Sequence, residues 1–150
     1  MKDLTHYSVI ADIFSYPDEQ YPQRVRAVQN QLTSRWPRAA RELERFLELL
    51  PESNLVGMQE LFIRSFDVQA VTTLDIGYVL FGDDYKRGEL LSNLNREHVA
   101  AQVDCGHELA DHLPNILRLL AKLNDTNLIG ELAREIIAPA VNKMRSEGVV

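Results

Sequence analysis

Apolar residues recur at helical spacing along almost the whole chain, and this periodicity constrains the fold more than any other feature. Leu4, Tyr7, Ile10 and Phe14 lie on one face of a helix, and comparable stripes follow to the end of the sequence. The strict alternation typical of half-buried strands is nearly absent. The pattern predicts an all-α fold, a single-domain bundle of about seven or eight helices joined by short loops.

Prolines and short polar residues divide this pattern into separate helices. Proline suits a first helical turn, and Ser, Thr, Asn or Asp suits the N-cap. Helices are therefore expected to begin near Pro22, Pro37, Ser53 or Asn54, Thr72, Asp83 or Asp84, Asp111, and Asp125. The Thr72 start resembles a capping box with Asp75 in the place of Glu or Gln. Asp67 is expected to close one helix before a connector from Val68 to Thr72, and Pro139 to kink the last helix.

Composition is that of an ordinary single-domain globular protein. The 150 residues are enough for one domain, 1–150, and 45% hydrophobic and 25% charged residues are usual values. The single cysteine, Cys105, excludes an internal disulfide. No apolar run approaches the ~18 residues of a membrane-spanning helix. The start of the chain, from Met1 to His6, lacks the features of a signal peptide. These properties favour a cytoplasmic location.

The net charge of −6 is unevenly distributed. From Tyr21 to Arg41 there are five arginines and no acid, whereas from Glu60 to Asp111 ten acids stand against four basic residues. The arginine-rich segment carries no recognised nucleic-acid motif, and a solvated helix face accounts for it. The acidic middle disfavours nucleic acid and favours a basic peptide as partner.

The segment from Phe81 to Glu89, called the 81–89 junction below, departs from the ordinary rules of helix design. Gly82 is expected to end one helix at a positive φ, and Asp83 or Asp84 to cap the next. The basic pair Lys86-Arg87 then falls in a first turn, where the helix dipole prefers anions. Gly88 follows within the same helix at a cost of roughly 1 kcal/mol relative to Ala. The junction is a candidate site, and the alternative is a tight turn in which the basic pair bonds to the two aspartates.

One polar segment holds the side chains that a metal or nucleophilic site would use. Cys105, His107 and His112 lie close in sequence, with Glu108 and Asp111 beside them. Structural zinc sites have four ligands at recurring paired spacings, which a Cys-x-His pattern does not match. A Cys–His dyad would require the fold to align its two members. A polar loop that carries no metal, cofactor or catalytic group is the favoured interpretation.

Nucleotide binding has a weak signal. The glycine-rich phosphate-binding motifs are absent from the sequence. Gly82 and Gly88 bracket a loop-to-helix junction whose backbone N–H groups could hold an anion, but Asp83 and Asp84 at its mouth would repel one.

Peptide binding fits the pattern better, because a helical bundle can leave an apolar groove for a partner's helix or extended leader. The apolar part of such a peptide is expected to contact Tyr78, Leu80, Phe81 and Tyr85. Its basic part is expected to face Asp83, Asp84, Glu108 and Asp111. The alternative is that Leu80 and Phe81 are simply core residues.

Several short segments occur in the order and approximate spacing of one known family. They are Ile13-Phe14-Ser15-Tyr16-Pro17-Asp18, Ser65-Phe66-Asp67, Tyr78-Val79-Leu80-Phe81-Gly82-Asp83 running into Lys86-Arg87-Gly88, and Glu108-Leu109-Ala110-Asp111-His112-Leu113-Pro114. On these segments the chain resembles the nitrate reductase delta subunit (NarJ) family of molybdenum-enzyme assembly chaperones, which is related to the TorD and DmsD proteins. The resemblance covers roughly residues 7 to 123. It departs from the family pattern between Val71 and Ile76, which leaves the client enzyme open.

The resemblance implies a TorD-like helical chaperone that has no catalytic activity. Such a protein binds the N-terminal leader of the catalytic subunit of an oxidoreductase of the nitrate reductase or DMSO reductase group. It keeps that subunit competent until the molybdenum cofactor is inserted. Together with the charge pattern, the resemblance assigns partner contacts to Phe66, Asp67, Tyr78, Phe81, Gly82, Asp83, Asp84, Tyr85, Lys86, Arg87, Gly88, Glu108, Asp111, His112, Leu113 and Pro114.

Some roles stay open on the sequence alone. His112 is expected at a helix N-terminus, where the dipole disfavours a cation. As a neutral ring it could bond a peptide carbonyl, or it could bond within its own turn and hold Asp111 in place. The chain could also be a structural subunit of the mature oxidoreductase, or a nucleotide-dependent enzyme that uses the 81–89 junction. Homodimers formed by exchange of helices are compatible with this kind of bundle.

Overall fold

The computed structural model describes residues 3–67 and 72–148 of the chain. Its elements are α1 (His6–Ala11) with a 3₁₀ turn (Asp12–Phe14), α2 (Tyr21–Leu32), α3 (Pro37–Leu49), α4 (Leu55–Phe66), α5 (Ile76–Phe81), α6 (Tyr85–Ala101), α7 (Leu113–Lys122), α8 (Thr126–Glu131), a π-helical segment (Leu132–Ile137) and α9 (Ala138–Gly148). The last three segments follow one another without a break. Counted as one helix, they bring the described residues to eight helices with no sheet, which confirms the predicted all-α fold.

The middle of the bundle is α7, which is buried around most of its circumference. Ile116 and Leu119 are fully enclosed, and Leu113, Leu117 and Leu120 are nearly so. Burying one such side chain contributes about 1.5–3 kcal/mol relative to leaving it in water. On one side α7 packs along α1, and residues of α5, α6 and the last helix complete this main core. These contacts hold the start of α7, which fixes the position of the loop that precedes it.

A smaller apolar layer joins α2 and α3 to the rest of the molecule. Val25 and Met58 are buried in it, and Leu50 closes it at the end of α3. The hydroxyl of Tyr21 donates a hydrogen bond of 2.7 Å to the carbonyl oxygen of Ile13, and burial raises the pKa of Tyr21 to about 12. The arginine-rich helices are therefore attached to the main core through an apolar contact and not through their charges.

Several predicted helix starts are confirmed by side-chain caps. Asn54 Oδ1 accepts a hydrogen bond of 2.9 Å from the backbone N–H of Gly57, and Asp84 Oδ1 accepts one of 2.9 Å from Lys86. Asp125 Oδ1 caps α8 in the same way. These caps need only residues that are near in sequence, which is why the sequence pattern found them. The expected connector from Val68 to Thr72 lies almost wholly outside the described residues.

Two predicted starts are wrong, and both errors have the same cause. The capping box at Thr72 does not form. Instead, α5 begins at Ile76 with Asp75 at the N-cap, and the Asp75 side chain makes no capping hydrogen bond to α5. The next error is that α7 begins at Leu113 with His112 at the N-cap, so Asp111 is not the cap. The two segments before these helices instead pair as a short antiparallel bridge between Asp75 and His112. Long-range pairing has taken the residues that local rules assigned to caps.

The chain continues as a helix through Pro139, as the apolar phase predicted. The π-helical segment lies directly before this proline. Proline has no N–H to donate to the preceding turn, and a π-helical turn is a common way to accommodate a break in the hydrogen-bond ladder. Among the described helices, none is both long enough and apolar enough to cross a membrane.

Candidate functional site

The short bridge brings the start of α5 against the start of α7. The backbone N–H of Ile76 donates to the carbonyl oxygen of Asp111 at 3.0 Å, and the N–H of Leu113 donates to that of Leu74 at 2.8 Å. Asp75 and His112 therefore face each other although they are 37 residues apart. The bridge therefore places the side chains of these two helix starts beside each other.

Asp111 is completely buried, and its charge is balanced by Arg87 of α6. The Arg87 Nε donates to Asp111 Oδ2 at 2.9 Å, and Nη2 donates to Oδ1 at 3.3 Å. The guanidinium also lies over the ring of Tyr78, 5.5 Å from its centroid. The carboxylate raises the pKa of Arg87 above its ordinary value. A buried charge pair of this kind is costly to break from one side, because the partner is left buried and unpaired.

Gly77 in α5 makes room for the Asp111 carboxylate. A Cβ at this position would lie only 2.4 Å from Asp111 Oδ2. Because that oxygen is held by Arg87, it cannot move aside without breaking the ion pair. Gly77 carries no turn or motif signal, so sequence reasoning missed this role.

His112 and Asp75 extend the pair into a larger polar cluster, called the Arg87 network below: Asp75, Arg87, Glu108, Asp111 and His112. The His112 Nδ1 lies 3.0 Å from Asp75 Oδ1 and 3.7 Å from Glu108 Oε2. The Arg87 Nη2 lies 3.7 Å from the other oxygen of Asp75. The hydrogen bond to His112 lowers the pKa of Asp75, and the charges of His112 and Arg87 add to this against the opposing effect of burial.

The structure corrects three expectations about these residues. Asp111 was expected to face a basic peptide, which is wrong because its side chain is fully enclosed. The alternative pairing of Lys86-Arg87 with Asp83 and Asp84 is also not what the structure has, since Arg87 reaches Asp111 and Asp84 caps α6. The interpretation that His112 bonds within its own turn is incomplete, because its shorter contact is to Asp75.

Beside the network lies a cleft of about 640 Å³, called the aromatic–acidic cleft below. Its lining residues come from four parts of the chain: Phe14, Ser15, Tyr16, Phe62, Phe66, Asp67, Thr73, Leu74, Asp75, Asp104, Cys105, Gly106, Glu108, His112, Pro114, Asn115 and Arg118. The segment after α1, the end of α4, the start of α5 and the loop before α7 each contribute one wall. No single stretch of sequence therefore forms the cleft.

One wall of the cleft is aromatic. Phe62 lies edge-on to Phe66 with ring centroids 5.2 Å apart, and Tyr16 lies edge-on to Phe62 at 5.8 Å. Phe14 meets Phe66 in the same manner at 6.3 Å. Tyr16 is 51% exposed, so this wall still presents apolar surface to solvent. Sequence reasoning placed Phe62 and Phe66 on a core stripe and gave no cleft role to Phe62.

Other lining residues of the cleft are acidic. Four carboxylates line the cleft: Asp67, Asp75, Asp104 and Glu108. The arginine that also lines it, Arg118, already lies 3.2 Å from the carboxylate of Asp12. Asp67 and Asp104 form no ion pair among the described residues. An aromatic surface beside these carboxylates suits a peptide that carries apolar and basic side chains together.

The loop between α6 and α7, residues 102–112, is called the acidic loop below. Side chains of the two neighbouring helices hold it in place. Asn115 Nδ2 donates to the carbonyl oxygen of Leu109 at 3.1 Å, and the ring of His98 in α6 bonds the carbonyl oxygen of Ala110 at 3.0 Å. Both side chains are buried. Neither had been singled out from sequence, because their partners are loop carbonyls whose positions no local pattern reveals.

The predicted site residues divide into separate groups. The aromatic–acidic cleft is lined by Phe66, Asp67, Glu108, His112 and Pro114. A second cleft, also of about 640 Å³, is lined by Tyr78, Phe81 and Gly82 together with residues of α9. Exposed positions at the start of α6 are held by Asp83, Asp84, Tyr85, Lys86 and Gly88. Leu113 is a core residue, and Arg87 with Asp111 lies between the groups.

Polar contacts join α9 to α5 and to the segment before α5 at the second cleft. The Lys143 Nζ donates to the carbonyl oxygen of Val79 at 2.9 Å, and Thr72 Oγ1 donates to Glu147 at 3.2 Å. Leu80 and Phe81 are half-buried in the bundle, whereas Tyr78 and Tyr85 are exposed. Leu80 and Phe81 nevertheless line this cleft, so the two tyrosines are only the more exposed members of the predicted set.

Two other chemistries have poor support in this geometry. Burial and the nearby charge of Asp104 raise the pKa of the Cys105 thiol, which disfavours the thiolate that a nucleophile needs. At the start of α6, the Asp84 carboxylate occupies the position where an anion would meet the backbone N–H of Lys86. The nucleotide alternative thus competes with a cap that the chain itself supplies.

Comparison with known proteins leaves the family open. No protein-family model matches the chain, and none of the curated proteins matches it at a significant level.

Proposed function

We propose that this protein is an assembly chaperone for the catalytic subunit of a molybdenum oxidoreductase of the nitrate reductase or DMSO reductase group. The observation that carries the proposal is the composition of the aromatic–acidic cleft. Residues from three of the family-like segments, at Phe14 to Tyr16, Phe66-Asp67 and Glu108 to Pro114, line this one cleft although they are far apart in sequence. Their shared location is what a common partner-binding role would require.

The ligand of the cleft is the N-terminal leader of the client. Its apolar side chains rest on the aromatic wall, where Tyr16 offers exposed ring surface. Its basic side chains face Asp67, Asp104 and Glu108, all of which are exposed. Apolar burial supplies most of the affinity, and the charges fix the orientation and speed the encounter.

The Arg87 network has a supporting role in this proposal. It joins the start of α5 to the start of α7, and so fixes the distance between two walls of the cleft. The molybdenum cofactor belongs to the client, and the chaperone itself performs no reaction. The proposed place of action is the cytoplasm, before the client is assembled or exported.

The test is a titration of the client leader in which two pairs of carboxylates are compared. Mass spectrometry of proteins captured from native cytosol identifies the client, and a fluorescent synthetic peptide of its N-terminus is then titrated by anisotropy. Neutralising Asp67 and Asp104 (Asp67→Asn with Asp104→Asn) is expected to weaken binding about tenfold, since each exposed charge contributes up to about 1 kcal/mol. Asp83→Asn with Asp84→Asn makes the same charge change at the 81–89 junction and serves as the matched control.

The outcomes separate the possible docking sites. Weaker binding in the first variant alone supports the cleft, and weaker binding in the second alone places the leader at the 81–89 junction. Unchanged binding in both variants contradicts acidic docking altogether. Stoichiometric co-purification with the active oxidoreductase would favour the structural-subunit alternative over a transient chaperone.

A further inference from the structure

Three metal-ligating side chains converge at the edge of the aromatic–acidic cleft. One ligand atom from each of Asp75, Glu108 and His112 can be chosen so that all three lie within 4.8 Å of one another. We propose that these three side chains bind a divalent transition-metal ion of the zinc type. This inference rests on the three side chains alone and is independent of the proposed chaperone function.

The distances suit an ion of this size. In a tetrahedral zinc site with bonds of about 2.0–2.2 Å, neighbouring ligand atoms lie about 3.3–3.6 Å apart. The His112 Nδ1 lies 3.0 Å from Asp75 Oδ1 and 3.7 Å from Glu108 Oε2, on either side of that range. Binding at Nδ1 requires the ring proton to be on Nε2. The hydrogen bond between His112 and Asp75 is then exchanged for two bonds to the metal.

Two of the three ligands are already held in place. Asp75 and His112 face each other across the backbone bridge, so neither needs to be ordered when the ion binds. Glu108 lies one turn before His112 on the exposed loop and is free to close on the ion. A site with two fixed ligands and one adjustable ligand keeps its geometry while allowing the ion to enter.

Nearby cations do not oppose the ion, because carboxylates already balance them. Arg87 forms its close pair with the buried Asp111 and lies 3.7 Å from the second oxygen of Asp75. Arg118 pairs with Asp12. The cleft adds two further carboxylates that make no ion pair among the described residues, Asp67 and Asp104. The local field therefore favours a divalent cation.

The donor set determines which ion is expected. An imidazole nitrogen with two carboxylate oxygens suits zinc and its neighbours in the transition series, whereas magnesium prefers oxygen ligands and octahedral geometry. Three protein ligands leave a fourth position of a tetrahedral ion open toward the cleft. The sequence pattern did not reveal this site, because its ligands come from distant segments. Glu108 and His112 precede α7, whereas Asp75 is 37 residues away from His112.

The test is calorimetric titration of the untagged, chelator-treated protein with zinc chloride, because a histidine tag would itself bind zinc. One ion per chain is expected, with a dissociation constant in the micromolar range or below. Magnesium chloride is expected to give no comparable signal. Titration with cobalt(II) gives an independent readout, since the visible absorption of this ion reports tetrahedral coordination by nitrogen and oxygen.

Variants assign the site to named side chains. Changes to groups that only support a ligand cost roughly 10–100-fold in metal affinity, so loss of a ligand in Glu108→Gln or His112→Ala should weaken binding at least about tenfold. His107→Ala and Cys105→Ser, in the same loop, should leave the affinity unchanged. Glu108 is exposed, so its variant decides the question even where His112→Ala impairs folding, which circular dichroism would show. Zinc binding that is absent, multiple, or unaffected by Glu108→Gln would overturn the proposal.

Discussion

The 81–89 junction and the aromatic–acidic cleft both carry unusual residues, but the physical reasons for them differ. At the junction, Gly82 takes a positive φ of 58° and Asp84 caps α6. Contacts within a few residues therefore explain most of its unusual residues. At the cleft, groups from distant segments complete one another, as Asp75 and His112 do. Arg87 belongs to the first region by sequence and to the second by contact. An unusual local sequence therefore does not reveal which distant groups its side chains will contact.

The largest expected effect tests which region Arg87 serves. Arg87→Ala leaves the Asp111 carboxylate buried without its partner, and should lower the free energy of unfolding by about 3 kcal/mol, at the lower end for a broken buried pair because Arg87 itself is partly exposed. The neighbouring Lys86→Ala removes the same charge from an exposed position and should change stability by less than about 0.5 kcal/mol. Urea unfolding of the three proteins measures both differences. Equal losses in the two variants would mean that Arg87 is only a surface residue of the junction.

The next effect compares two helical glycines. Gly77→Ala places a methyl group 2.4 Å from Asp111 Oδ2, and should destabilise the protein by about 2 kcal/mol through overpacking. Gly88→Ala puts the methyl group in open space on α6 and should stabilise it by up to about 1 kcal/mol. Thermal unfolding of both variants checks the opposite signs. A stabilising Gly77→Ala would show that the space over Asp111 is larger than the structure indicates.

These comparisons show how far the sequence could predict the fold. Helical periods, proline positions and the caps at Asn54, Asp84 and Asp125 depend on near neighbours, and they were predictable for that reason. The N-cap of α7 was missed by one residue and that of α5 by three, because the backbone bridge between Asp75 and His112 replaces a local rule with a contact between distant segments. No single-sequence pattern reports such pairing.

The site was predictable only in part, for the same reason. The segments around Phe66, Glu108 and His112 were singled out, but their common location in one cleft depends on the path of the whole chain. The aromatic wall required Tyr16, in the segment after the 3₁₀ turn, to meet Phe62 of α4, and the buried state of Asp111 depended on Arg87. A residue's type can be read from sequence, whereas its accessibility is a property of the packing.

A third prediction compares one exposed tyrosine from each region in leader binding. Tyr16→Ala removes ring surface from the aromatic wall and should weaken the client leader about tenfold, the effect of losing roughly 1.4 kcal/mol at a tyrosine contact. Tyr85→Ala removes an equally large ring, 72% exposed, from the junction and should leave the affinity unchanged. Anisotropy titration measures both. If only Tyr85→Ala weakens leader binding, the docking surface would lie at the junction and not in the cleft.

The smallest effect separates backbone strain from binding. Gly82 at the junction and Gly106 in the acidic loop both have positive φ, 58° and 61°, with open space where a Cβ would stand. Alanine at either position should therefore cost about 1 kcal/mol or more, from the backbone conformation alone. Because Gly106 lines the aromatic–acidic cleft, only Gly106→Ala should also weaken leader binding. If both variants lose the same stability but only Gly82→Ala weakens leader binding, the assignment would be reversed. The junction would then bind the peptide, and the cleft would have only a structural role.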